Sequence, residues 1–447
     1  MHRRNFIALA TLGITETACR LRRDTYGLAA QADRALTTAA RFLISHQSPD
    51  GSWRSRVYGD LRDGLSLTPP ILKCLFYSPD FNHQVRSSFG KGFDYLVQSA
   101  EDGAPGSGAN LPHPVYTASL ASVVIGSAGR EPKHLKAQTA WLECLLRYRF
   151  SRNLGWEPGD GPFGGWGYTS RIPEKPKGAE SPYEANISAT TFGIGALRQA
   201  GVPSSDPVYQ EILSFVKRAQ NFADAGTNRD ARFDDGGFFF TPCDPPRNKA
   251  GSAGTDRSGR ERYNSYGSAT TDGLRALLRC GLPRDNPRVQ AAYQWLTNHF
   301  SVSSNPGAFP SEREVLRNAT YFYYCWSLAH ALTAMGVEDV RTKEGSLRWA
   351  EVLAEELIRR QQDDGLWINR FTDAREDDPF VATSLAAAAL THCYWMLRGK
   401  RRPPTPLGVL TTKTPGREEE HGSWCFFVSS CPGGICWVRQ NYTLRPI

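Results

Sequence analysis

One pattern recurs along this 447-residue chain and limits what it can fold into. Near the start, Phe42-Leu43-Ile44-Ser45-His46-Gln47 is followed by Asp50-Gly51 and Trp53; near the end, Leu357–Gln362 is followed by Asp363-Asp364-Gly365 and Trp367. Each reads as an amphipathic helix ending in Gln, then Asp-Gly, then a Trp two residues after the Gly. Weaker copies lie between. Gln98 precedes Asp102-Gly103, Cys144–Tyr148 precedes Gly164-Gly165-Trp166, Gln220 precedes Asp235-Gly236, and Tyr293–His299 precedes Asn305-Pro306-Gly307. Six helix ends therefore fall near 47, 98, 148, 220, 299 and 362. The shorter intervals have room for two helices and two loops.

A second class of segment alternates with the first. Tyr116–Ile125, Ile187–Leu197, Tyr266–Leu278, Tyr321–Met335 and Phe380–Met396, with a weaker one at Leu65–Leu75, are small, apolar and aromatic almost all round. A helix apolar on every face has to be buried on every face. Amphipathic helices alternating with buried ones describe an outer ring around an inner ring. Gly201-Val202-Pro203 and Gly281-Leu282-Pro283 end buried helices and open outer ones, as a Gly C-cap followed by Pro should. An open helical solenoid uses the same pairs, but its terminal repeats should be atypical. Here the first and last units are the best formed, which favours closure. The expected fold is all-α: six hairpins closed so that residues 27–62 lie beside residues 346–397.

A helix ending in Gln followed by Gly-x-Trp resembles the QW repeat of squalene and oxidosqualene cyclases, whose α/α-toroid architecture protein prenyltransferase β-subunits share. The likeness spans roughly residues 27–397. It implies a six-hairpin α/α toroid whose inner helices enclose a central cavity, and a structural role for Gln47, Trp53, Gln98, Gln220, Gln362 and Trp367 in linking outer helices to inner ones. It also implies an apolar, isoprenoid-like small molecule or lipid as the partner.

The chemistry implied by the resemblance is only partly present. The Asp-x-Asp-Asp acid of hopene-type cyclases is absent, as is the Asp-Cys-Thr-Ala-Glu motif of oxidosqualene cyclases. Glu376-Asp377-Asp378 precedes an inner helix and reads as acids set against a helix N-terminus. The zinc set of prenyltransferases would need ligands where Leu274 and Tyr323 stand beside Asp272, so neither a metal nor another cofactor is expected; a catalytic zinc takes three protein ligands. What remains is Asp272 inside an inner helix. Buried, its carboxyl would have a raised pKa and could act as an acid; otherwise it pairs with Arg275, three residues on. Tyr266, Tyr321, Tyr323, Tyr324, Trp326 and Phe380 are the candidate cavity-lining aromatics, and His330 reads as a core histidine. Two functions are open: metal-independent acid chemistry on an isoprenoid or similar apolar chain, or a toroid without catalysis that binds a lipid or a protein.

Composition closes other routes. The net charge of +8 resides in the five arginines of residues 1–23 and the eight basic side chains of residues 398–447, leaving the body near neutral and without a footprint for nucleic acid. No run of about 18 apolar residues occurs, so no transmembrane segment is expected. The ten cysteines show no CxxC pair and read as buried hydrophobes rather than a disulfide framework. His2-Arg3-Arg4-Asn5-Phe6-Ile7 resembles a twin-arginine export signal, but Glu16, Arg20, Arg22 and Arg23 follow where a cleavage region should lie. Export and cytoplasmic residence both stay open. The expected divisions are an N-terminal segment 1–26, the toroid 27–397, and a basic tail 398–447. The tail carries His421, Cys425, Cys431 and Cys436 at spacings that match no common zinc site.

Overall fold

The computed structural model describes residues 26–103, 105, 111–178, 183–224, 229–400 and the strand segments 427–431 and 434–438. The export-like segment, and the tail apart from those strands, lie outside the described residues.

Twelve helices run in chain order among these residues: α1 (26–45), α2 (Thr68–Phe76), α3 (His83–Glu101), α4 (Pro114–Ala128), α5 (Pro132–Arg147), α6 (Ile187–Gln199), α7 (Val208–Arg218), α8 (Gly267–Arg279), α9 (Pro287–Asn298), α10 (Tyr321–Met335), α11 (Trp349–Arg360) and α12 (Pro379–Leu397). The even-numbered helices are the inner ring. Each packs on the next, from α2 through α4, α6, α8 and α10 to α12, and α12 packs back on α2. The molecule is an all-α toroid. Its strands form three antiparallel hairpins: β1 (Ser252–Thr255) with β2 (Glu261–Tyr263), β3 (Asp339–Thr342) with β4 (Gly345–Arg348), and β5 (Phe427–Cys431) with β6 (Gly434–Val438) in the tail.

Local signals start and stop the inner helices. Pro sits in the first turn of α2, α4 and α12, where its missing N–H costs nothing. At the far ends of α6, α8 and α10, Gly201, Gly281 and Gly336 take φ of +75°, +96° and +70°. The residue after each donates to a carbonyl five residues back, as in Val202 N to Leu197 O at 3.1 Å, which closes a Schellman cap.

The outer joints explain the recurring pattern. Gln47 Nε2 donates to Gly51 O (2.8 Å) in its own turn and to Ser88 O (2.9 Å) in α3, the next outer helix. Gln220 does the same toward Gly236 O and Arg288 O of α9. The last joint uses Gln361, whose Nε2 reaches Gly365 O (2.8 Å) and Ala35 O of α1 (2.9 Å), so it ties the last outer helix to the first. This corrects the expectation for Gln362, whose amide meets only Arg360 O at 3.4 Å. Gln98 likewise stays local, bonded to Asp102 in its own turn. The tryptophans work radially. The indoles of Trp53, Trp166 and Trp367 donate to Leu43 O, Leu145 O and Leu357 O of the outer helix behind them. Their backbone N–H groups donate to Thr68, Thr190 and Thr383 hydroxyls of the inner helix ahead. Gly51 and Gly365 are required here: both have φ near +90°, and a Cβ on Gly51 would lie 2.4 Å from Lys91 O of α3.

α12 is 19 residues long and apolar enough to cross a membrane by length and composition, closer to such a segment than the sequence suggested. It is an inner-ring helix, 67% of whose most apolar window is buried, and the toroid accounts for its composition.

Candidate functional site

The inner ring has two unlike halves. Toward the N-terminal ends of its helices the interior is filled by a polar chain. Asp272 of α8, 1% exposed, accepts from Arg275 Nη1 (3.0 Å), Ser327 Oγ (2.7 Å) and Tyr323 OH (2.6 Å). Tyr323 OH in turn meets Ser188 Oγ at 2.6 Å, and Ser188 meets Tyr116 OH at 2.9 Å. Tyr116 is hydrogen-bonded to Tyr168, whose side chain is 43% exposed. Four hydroxyls thus connect a buried carboxyl to the surface. Burial pushes the Asp272 carboxyl above its usual range, opposed by Arg275 and by the hydroxyls of Tyr323 and Ser327.

Glu376 sets this chain's geometry. It is fully buried and accepts from the backbone N–H of Phe322 (3.0 Å) and Tyr323 (2.7 Å), so it caps α10 rather than its own helix. Burial raises its carboxyl to about 7. Asp378 caps α12 through Phe380 N, and Asp377 receives the Tyr58 hydroxyl. The acidic triplet therefore serves two helix starts and also accepts from the side chains of Tyr58, Ser55 and Asn369.

Toward the C-terminal ends the ring is hollow. A cavity of about 400 Å³ is lined from all six inner helices: Lys73 and Cys74 of α2, Ser119 and Val123 of α4, Phe192 and Gln199 of α6, Arg275 and Arg279 of α8, Trp326 and His330 of α10, and Thr391 and His392 of α12. Phe192 and Trp326 stack (centroids 5.2 Å apart), with the Arg275 guanidinium 4.4 Å over the Trp326 ring and Lys73 Nζ 5.6 Å from it. His330 and His392 lie ring against ring at 4.1 Å. Both are held neutral: His392 at about 3 by burial and then by Lys73 and Arg275, and His330 well below its ordinary value by burial, then by His392 and then by the cations Lys73, Arg275 and Arg279. Burial also lowers Lys73 to about 7, helped by Arg279 and Arg275, and Arg279 to about 9. Arg279 Nη1 rests on Thr191 O (2.9 Å) beside Gly195, where a Cβ would come within 3.0 Å of it. Three buried polar atoms of residues on this wall, Arg275 Nε, His330 Nε2 and Ser119 Oγ, have no partner.

The residues singled out in the sequence separate accordingly. Asp272 and Tyr323 are bonded to each other, and Trp326 lines the cavity. The other aromatics point elsewhere. Tyr321 and Tyr324 donate outward to Val302 O and Ser301 O, Tyr266 packs on Phe309, and Phe380 packs on Phe42 of α1. His330 is not a satisfied core histidine but stands on the cavity wall. Leu274 is buried in the core, and no three His, Cys, Asp or Glu side chains converge on a metal site among the described residues. Lys73, Arg279, Phe192 and His392 were not anticipated. The signal for Lys73 was present: it is the one charged residue in Thr68–Phe76, a helix otherwise buried.

Comparison with known proteins bears on fold. No protein-family model matches the chain, and no curated protein matches it by sequence. An unsaturated glucuronyl hydrolase specific for heparin superposes with a TM-score of 0.52 at 11% identity, covering 83% of this chain and 98% of that one. What they share is the fold. The type II terpene cyclase MstE from Scytonema, in complex with geranylgeranyl dihydroxybenzoate, gives a TM-score of 0.46 at 11% identity over 83% of this chain and 99% of that one. The same cyclase without ligand gives 0.45 at 12% identity, over 82% and 99%.

Proposed function

We propose that the toroid holds a small amphipathic molecule, an isoprenoid or similar apolar chain ending in an anionic group, in the cavity at the C-terminal half of the inner ring. One observation carries this reading: an aromatic wall faces a cluster of cations with no free carboxylate. Phe192 and Trp326 offer apolar and π surface, while Lys73, Arg275 and Arg279 share one acid, Asp272, which Arg275 already engages. Two of these cations are left to be neutralised by a ligand. The volume lies within the usual range of small-molecule sites, about 300–1,000 Å³.

Calorimetry with a C15 isoprenoid acid and the matching alcohol tests the reading. The acid should bind about tenfold or more tighter, the value of a charge-assisted hydrogen bond in a partly dry site. Arg279→Met should erase that preference and leave the alcohol's affinity in place. Absence of binding by both compounds would refute the proposal.

A second reading, acid catalysis by Asp272, is favoured by the hydroxyl chain through Tyr323, Ser188 and Tyr116, which could return a proton to the carboxyl from the side away from the ligand. Against it, Arg275 stands between the carboxyl and the cavity. Asp272→Asn would keep the shape; turnover of an isoprenoid by wild type and not by this variant would establish the acid role.

A further inference from the structure

Lys73 is the anomaly of the cavity. It projects from the middle of α2 into a space bounded by five other helices, and among the described residues neither an ion pair nor a hydrogen bond holds its ammonium. The charged and titratable groups facing it are all cationic or neutral: Arg275 and Arg279 from α8, His330 from α10 and His392 from α12. α4 presents Ser119 and α6 presents Gln199. Asp272, the one carboxyl nearby, is enclosed by Arg275, Ser327 and Tyr323 on the far side of the guanidinium. Such surroundings disfavour the protonated amine and leave its lone pair facing an aromatic-walled cavity.

Resting on the cavity reading above, we infer that Lys73 is a nucleophilic amine that condenses with an aldehyde or ketone carried on an apolar or aromatic skeleton, forming an imine in the cavity. The Nζ lone pair attacks the carbonyl carbon to give a carbinolamine. Loss of water then leaves a carbon–nitrogen double bond, both amine protons departing with the former carbonyl oxygen. No oxidant, reductant or metal enters the balance. The arrangement is one in which lysine acquires this chemistry, desolvation beside other cations. The low titration of Lys73, about 7, is consistent with it. Arg279, which no carboxylate engages among the described residues, would hold an anionic end of the same molecule, so the two functions of the wall fall to different residues.

The test uses the full chain and cinnamaldehyde with cyanoborohydride, which reduces an imine to a stable secondary amine, at about pH 7.5. At that pH an amine titrating near 7 is largely neutral, whereas an ordinary lysine, near 10.4, is almost wholly protonated. Peptide mass spectrometry should find Lys73 labelled more than about tenfold faster than Lys91 or Lys343. Lys73→Arg should abolish that fast labelling. In parallel, quenching of tryptophan fluorescence without reductant, lost in Trp326→Phe, reports occupancy of the cavity. Quenching without labelling at Lys73 overturns the imine and leaves the cavity reading intact. Absence of both quenching and labelling overturns the two together. Labelling spread evenly over the lysines also overturns the imine.

Discussion

The two halves of the inner ring are built from the same six helices, yet one is solid and the other hollow. In the solid half each member of the polar chain is answered from a neighbouring helix: Asp272 by α10, Tyr323 by α6, Ser188 by α4. In the hollow half cations accumulate, and Arg275 Nε and His330 Nε2 go unanswered. The difference teaches that burial alone does not mark a functional region in a toroid. Both halves are buried, and only the balance of donors against acceptors separates a wall from a site. Arg275 belongs to both, with one edge on Asp272 and one face on Trp326.

The contrast can be broken most strongly at that boundary. Asp272→Ala removes the carboxylate that Arg275 engages and leaves the guanidinium charged and buried; urea denaturation should show a loss of about 3–5 kcal/mol. A loss under 1 kcal/mol would mean that the solid half is not held by this pair. Gln361→Ala tests whether both halves depend equally on the outer joints. It strips the donor from two carbonyls at the ring closure and should cost about 1–3 kcal/mol, while Gln362→Ala should cost close to nothing; equal effects would disprove the assignment of the joint. Tyr323→Phe interrupts the hydroxyl chain at its centre, and about 1–3 kcal/mol should be lost in the same assay. An unchanged melting curve would show that Asp272 and Ser188 find other partners.

On the hollow side the effect should carry the opposite sign. Lys73 titrates at about 7 in the folded protein and near its ordinary 10.5 unfolded, so the unfolded chain binds more protons between those values. Stability attributable to this residue is lowest below pH 7, rises through the window from 7 to 10.5, and is level above it. Lys73→Met should stabilise the protein at neutral pH and flatten that rise, as followed by thermal melts across the window. A destabilised variant would reveal an acidic partner for Lys73.

The fold was legible because it rests on repetition. Spaced Gln, Gly and Trp and the alternation of one-sided with all-round apolar helices reported outer and inner rings, and the best-formed terminal copies reported closure. Even the misassigned closing joint was readable: Gly51 and Trp53 lie four and six residues after Gln47, and the same spacing counted back from Gly365 and Trp367 gives Gln361. The site was less legible for a reason intrinsic to inner helices. A helix apolar around its whole circumference carries no periodicity from which to orient it. Nothing in the order Tyr321, Tyr323, Tyr324, Trp326 says that the first and third reach out to backbone carbonyls while Trp326 looks inward. The pairing of Asp272 with Arg275 was visible from spacing alone, being contained within one helix. Lys73 is the converse case: its type was out of place in its helix, but the cations that give it meaning arrive from α8.

The bond from Gln361 to Ala35 spans 326 residues. Bringing such distant points together costs on the order of 5 kcal/mol of chain entropy, which no local contact can offset in advance. During synthesis α1 emerges long before α11 and α12, its neighbours across the closure. For most of that time the apolar flank of α1 that will meet α11 and α12 stands uncovered, and the nascent ring is an open arc with two unmatched ends. The seam between first and last units is therefore where a chaperone would have most to protect, and where two half-made chains could exchange ends.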